Sequence, residues 1–155
     1  IARADRSFEL SRFMQGAQDA FVVVVEAFAE GDRETLKELL SEPLYKSFEK
    51  VLDERKEKGQ KGSVEIHAVR RAEVVDASVK ERMAFITMRF VSDETNILRD
   101  ASDELIYGNP ERVTETIDIW TFGRDLRSRS PAWLVYETRD EDAAEQDHKT
   151  VPDSN

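Results

Sequence analysis

Apolar residues at Phe13, Ala17, Phe21, Val24 and Phe28 recur every three or four positions, which places them on one face of an α-helix. A second row, Met14, Phe21, Val22, Val25 and Ala29, widens that face, so the helix is apolar almost all round between Phe21 and Val25. A helix of that kind has to be wrapped by the rest of the chain. The pattern predicts that it runs from Phe8, behind a Ser7 cap, to Glu30. Gly31 ends it by taking a left-handed conformation, and Asp32 caps a short helix over residues 33–40 that turns Leu36, Leu39 and Leu40 to the core. A third helix starts at Ser41 or Glu42, tolerates Pro43 in its first turn, and presents Leu44, Tyr45, Phe48, Val51 and Leu52 at helical spacing. It runs out in the solvated stretch DERKEKGQK, and Gly59 and Gly62 release the chain.

The period then changes to two. Val64, Ile66 and Ala68 begin a strand that continues through Ala72, Val74 and Val75 with a bend or bulge, and Lys80 and Glu81 form the turn. Residues 83–91 form a second strand, with Ala84, Ile86, Met88 and Phe90 on one face. Residues 92–103 read as a charged connection in which Ile97 and Leu98 pair briefly. A short strand over 105–107 precedes the turn Gly108-Asn109-Pro110. A strong strand over 113–122 puts Thr116, Asp118, Trp120 and Phe122 on one face, and a polar hairpin loop leads to a last strand over 133–138. Helices followed by consecutive antiparallel strands make an α+β domain with a meander sheet, strongly curved so that it cradles the first helix. The expected organisation is a flexible start over residues 1–7, a body over 8–139 and a disordered acidic tail over 140–155.

Composition narrows the function. The 155 residues suit one domain, and their net charge of −10 argues against nonspecific nucleic-acid binding, which needs phosphate neutralisation. There is no cysteine, which excludes a disulfide scaffold, a thiol nucleophile and a Cys-based zinc site. His67 and His148 are too far apart in sequence to suggest a metal site, and no cofactor is expected. The longest apolar run, residues 20–25, is far short of the roughly 20 residues that a spanning helix requires. The chain begins with Ile1, so it is expected to be a piece of a longer protein whose membrane anchor lies upstream.

Two stretches carry a resemblance to a known family. One is Phe13, Gly16, Ala17, Ala20 and Phe21 followed by AFAEGDRETLKELLS at residues 27–41. The other is DIWTFGRDLRSRSPAW at residues 118–133, with Leu134 and Thr138 beyond it. Together with RFVS at 89–92, these resemble the Tim forty-four-like domain family, over about residues 8–139. The most specific part is Asp118-x-Trp120-Thr121-Phe122-x-Arg124 followed by Pro131-x-Trp133. The resemblance implies a cone of the cystatin-like, nuclear-transport-factor-like type, with one long and two shorter helices on a curved antiparallel sheet around an apolar pocket. It also implies a noncatalytic binding module at an inner membrane, in contact with other membrane or translocase proteins and with anionic lipid such as cardiolipin. The acidic balance is more like that of a bacterial member than of a mitochondrial one. A homodimer stays open.

Each candidate site has a plainer reading beside it. Arg3, Arg6 and Arg12 flank Phe8, Leu10 and Phe13, a combination that can lie in a membrane interface, although Asp5 and Glu9 dilute the charge. The plainer reading is a helix end packed on its own domain. The basic stretch from Lys46 to Lys61 is interleaved with acids and reads as a solvated face. Phe21, Phe28, Phe48, Phe90, Trp120 and Phe122 line an apolar pocket or simply fill the core. Asp118, between two isoleucines, needs a partner if it points inward. Either it is a hydrogen-bonded structural carboxylate, or, with His67 and Tyr107, it serves a small cone-fold enzyme of the dehydratase or isomerase kind.

Overall fold

A computed structural model describes residues 2–141 and 151–153, with side chains from Glu9 onward. Three helices, α1 (Ala2–Glu30), α2 (Arg33–Leu39) and α3 (Glu42–Lys58), precede five strands, β1 (Lys61–Lys80), β2 (Met83–Arg99), β3 (Leu105–Tyr107), β4 (Thr114–Asp125) and β5 (Leu134–Asp140). Helix α1 begins at Ala2 rather than at Phe8, and the side chain of Ser7, expected as its cap, lies outside the described residues. The other caps are those the sequence names. Thr35 N–H donates to Asp32 Oδ1 at 3.2 Å, and Leu44 N–H donates to Ser41 Oγ at 3.4 Å. Gly59 closes α3 at φ 69°, where a Cβ would also lie 2.8 Å from that of Ala101.

The sheet is antiparallel in the order β1-β2-β4-β5, with β3 pairing the far end of β2. Three register shifts along β1 bend it. Helix α1 lies on the inner face with Phe13, Ala17, Phe21, Val24 and Phe28 buried, as the spacing requires. Val23 stays exposed, so the wrapping is open on one side. Phe21 stacks on Phe90 at 4.5 Å and meets Trp120 at 4.8 Å. Each such aromatic pair adds about 0.5–1.5 kcal/mol to the burial itself.

Two expectations fail here. Residues 92–99 are not a connection but the second half of β2, paired with β1 through Leu98 and Arg99. The alternation persists there with polar residues inward: Ser92 and Glu94 are fully buried, and Ser92 Oγ and Thr116 Oγ1 donate to Glu94 Oε2 at 2.8 and 2.9 Å. A pattern of apolar residues cannot reveal a strand whose inner face is polar. The tail, expected to be disordered throughout, returns to the domain: Val151 is buried among the core residues, and Thr138 Oγ1 donates to the Pro152 carbonyl at 2.6 Å. Residues 142–150 and 154–155 of that tail lie outside the described residues.

Candidate functional site

Around Phe13 a mouth lies between α1 and the sheet. A cavity of about 610 Å³ is lined by Glu9, Leu10, Arg12, Phe13, Ile86, Arg124, Pro131 and Trp133. A second, of about 240 Å³, shares Arg12, Phe13 and Trp133 with it and reaches Phe122, Leu39 and the small residues Gly16, Ala17 and Ala20. Phe13 stands between them, edge-on to Phe122 at 5.6 Å and to Trp133 at 4.8 Å. The small residues at 16, 17 and 20 leave room that larger side chains on α1 would close.

Arg124 gives the mouth its charge. It lies two residues beyond Phe122 on β4 and therefore on the same inward face. The intervening Gly123 is pinned under the other face, where a Cβ would sit 2.7 Å from the Tyr136 ring and 2.9 Å from that of Phe85. The Arg124 Nε is buried and has no hydrogen-bond partner among the described residues. A buried donor left unmade costs about 1–3 kcal/mol. Arg124 as a whole is only half-buried and lines the larger cavity, so its charge is offered there.

The inner face changes character at its opposite end. Glu94 and Asp118 are both buried there, Asp118 at 2% exposure. Burial, and then the neighbouring carboxylates of Glu94, Asp140 and Asp153, raise the Asp118 carboxyl well above the ordinary value, while a hydrogen bond from Thr116 pulls the other way. Its Oδ2 has no hydrogen-bond partner among the described residues. A cavity of about 300 Å³ beside Glu94 is lined by Asn96, Gly108, Asn109, Arg112, Thr114 and Thr116.

The structure distributes the expected residues unevenly. Leu10, Arg12 and Phe13 come together at the mouth. The side chains of Arg3, Arg6 and Phe8 lie outside the described residues. Of the six aromatics proposed to line a hollow, Phe122 borders the smaller mouth cavity. Phe21, Phe90 and Trp120 fill the space between helix and sheet, and Phe28 packs on Phe48 at 5.5 Å towards the other end of α1. The enzyme-like set is not assembled. His67 Nε2 lies 2.8 Å from Thr95 Oγ1 and its Nδ1 3.3 Å from Glu65, while Tyr107 interacts with Arg55. Ile86, Leu39 and Ala132 were not anticipated at a site. Period-two counting from Phe122 finds Arg124, but the others depend on how α1 packs on the sheet. Among the described residues no group of His, Cys, Asp and Glu could hold a metal ion, and no helix is long and apolar enough to cross a membrane.

The comparisons with known proteins agree with the geometry. Residues 1–140 match the Tim44-like domain, the same family as in the resemblance above. The human mitochondrial import inner membrane translocase subunit TIM44 is 22% identical over 138 residues, and its rat counterpart 21%. Each match covers 87% of this chain but only 30% of the relative's length. The crystal structure of the intermembrane space region of chloroplast protein ARC6 shares the fold at a TM-score of 0.55 with 16% identity, over 82% of this chain and 95% of the other. With the α+β architecture in place and its residues matched from the first helix through the last strand, the chain belongs to the Tim44-like domain family.

Proposed function

We propose that this domain is a noncatalytic module of a protein-translocation or membrane-protein-assembly machinery, and that its mouth holds one apolar chain of an anionic amphiphile. The observation that carries this reading is the half-buried Arg124 side chain lining an apolar cavity walled by Phe13, Ile86 and Trp133. The aromatic walls receive hydrocarbon, and the guanidinium receives an acidic head group. The translocation context is supported by the similarity to the inner-membrane subunits named above. On this reading the domain works at an inner membrane. Its partners are other membrane or translocase proteins and anionic lipid such as cardiolipin, not nucleic acid, and a mass measurement in solution reads whether it forms a homodimer.

The test is a titration with laurate below its micelle concentration, followed by tryptophan emission. Trp133 at the mouth reports the guest, while buried Trp120 does not contact it. Saturable binding is expected. Arg124→Gln should weaken it about tenfold, the loss of one hydrogen bond to a charged group. Ala132→Leu should crowd the smaller cavity and weaken laurate binding without adding a second reporter at the mouth. Emission that ignores laurate, or variants that bind it as the parent does, would remove the reading.

A further inference from the structure

The C-terminal end of α1 meets the end of α3 and the start of β1, and a cavity of about 460 Å³ lies between them. Ala29 and Leu52 give it an apolar wall, and Arg33, Arg55, Lys56 and Lys61 line it with cations, against the acid Glu30. Arg33 is engaged, with Nη1 2.9 Å from Asp53 Oδ1. No carboxylate among the described residues lies within ion-pair distance of Arg55, Lys56 or Lys61. The cavity is therefore positive, in a chain that carries −10. Arg55 is held in place. Its guanidinium lies 4.6 Å from the centre of the Phe28 ring and hydrogen-bonds the Tyr107 hydroxyl. Burial strips part of its hydration and lowers its pKa, while Tyr107 pulls the other way. Gly62 leaves room for it, since a Cβ there would lie 2.8 Å from Arg55 Nη1. Basic side chains commonly answer the free carbonyls at a helix C-terminus. Here backbone groups already do so. Gly59 and Gln60 N–H donate to the Lys56 and Arg55 carbonyls at 3.1 and 2.8 Å, and Gly31 and Asp32 N–H donate to those of Phe28 and Ala27 at 3.2 and 2.8 Å.

We propose that this cavity binds a small soluble phosphate ester, with the phosphate on Arg55, Lys56 and Lys61 reaching it from the rim, and the ester group against Ala29 and Leu52. A half-buried guanidinium that has lost water and received no carboxylate in return favours an anion. Its planar fork suits two oxygens of one phosphate, and the two ammonium groups suit the second charge. Concavity selects a small solute. A nucleic acid, an acidic protein or a bilayer needs a broad positive surface, and Glu30, Glu54 and Glu57, all exposed, break one up around the rim. The inference stands apart from the mouth, which shares no lining residue with this cavity.

The experiment is calorimetric titration of the 155-residue chain with inorganic pyrophosphate and with phenyl phosphate, in lipid-free buffer at low and high salt. Both should bind saturably and more weakly at high salt, and acetate at the same ionic strength should not compete. Arg55→Gln should lower the affinity about tenfold, the loss of a hydrogen bond to a charged group. Lys61→Gln, at an exposed position, should lower it about threefold. Gly62→Ala keeps every charge but pushes Arg55 Nη1 aside, so it should weaken binding about fivefold while the melting temperature holds. That variant and Lys61→Gln decide the matter even where Arg55→Gln unfolds the domain. No heat with either phosphate overturns the proposal, as does acetate that competes equally. Pyrophosphate that binds without phenyl phosphate overturns the apolar wall and with it the ester. Lys61→Gln and Gly62→Ala variants that bind as the parent does place the anion elsewhere and overturn it too. Laurate binding at the mouth should be the same in all three variants, so the two readings fail separately.

Discussion

The two ends of the inner sheet face are built from the same strands and do opposite things. Along β4 the inward residues run Thr116, Asp118, Trp120, Phe122, Arg124. At one end, carboxylates are enclosed: Glu94 and Asp118 are buried, with serine and threonine hydroxyls supplying hydrogen bonds. At the other, cations and aromatic edges surround an open mouth. Phe21, stacked on Phe90 and against Trp120, fills the middle and keeps them apart. The difference lies in access. A charge at the mouth keeps its exposure to water and to a guest, whereas a charge at the closed end has to be neutralised by its surroundings. Changes at the closed end should therefore act on stability, and changes at the mouth on binding.

The largest effect should come from removing the divider. Phe21→Ala leaves a cavity between the ends and should cost about 3–5 kcal/mol in urea unfolding. Next comes the buried carboxyl. Its raised native pKa means that the folded chain holds this proton more tightly than the unfolded chain does. The associated stability is full below the unfolded value of 3.8 and is lost as pH rises through the raised native pKa. Asp118→Asn should then stabilise the domain at neutral pH by about 1–3 kcal/mol, with the gain fading as the pH approaches 3.8. Unfolding midpoints across a pH series check the sign, and a gain independent of pH would dissociate Asp118 from the contrast.

Removing the returning tail sharpens the comparison from the same side. Val151→Asp should cost about 1.5–3 kcal/mol, the value of one buried valine, and leave laurate binding at the mouth as it was. The smallest stability effect belongs to the mouth itself. Arg124→Gln removes a buried donor that the fold leaves unmade, so it should leave stability unchanged or raise it by up to about 1 kcal/mol, although it weakens the guest. A large loss of stability there would make Arg124 a structural residue.

Much of this was legible without coordinates. The core face of α1, the Asp32 and Ser41 caps, the Gly59 stop and the inward row from Thr116 to Phe122 follow from periodicity and local chemistry, and the structure has them where the sequence puts them. The continuation of β2 past Ser92 was not legible, because its inward positions are polar and are satisfied by Thr116 on another strand. The return of Val151 was equally hidden: one valine in an acidic stretch has no periodic neighbours to mark it.

Apart from β2 beyond Ser92 and the first turns of α1, the sequence by itself determined where helices and strands form and which side of each faces inward, since those depend on neighbours a few positions away. It also carried the family, through the spacing of Trp120, Phe122, Arg124, Pro131 and Trp133. Only the tertiary structure decided where the interior is solid and where it opens. Helix α1 fills the sheet at Phe21, and around Phe13 its packing on the sheet leaves a mouth that brings together Arg12, Ile86, Arg124 and Trp133 from distant parts of the chain. A cavity is a property of how elements pack in space, and no pattern along a single element encodes it.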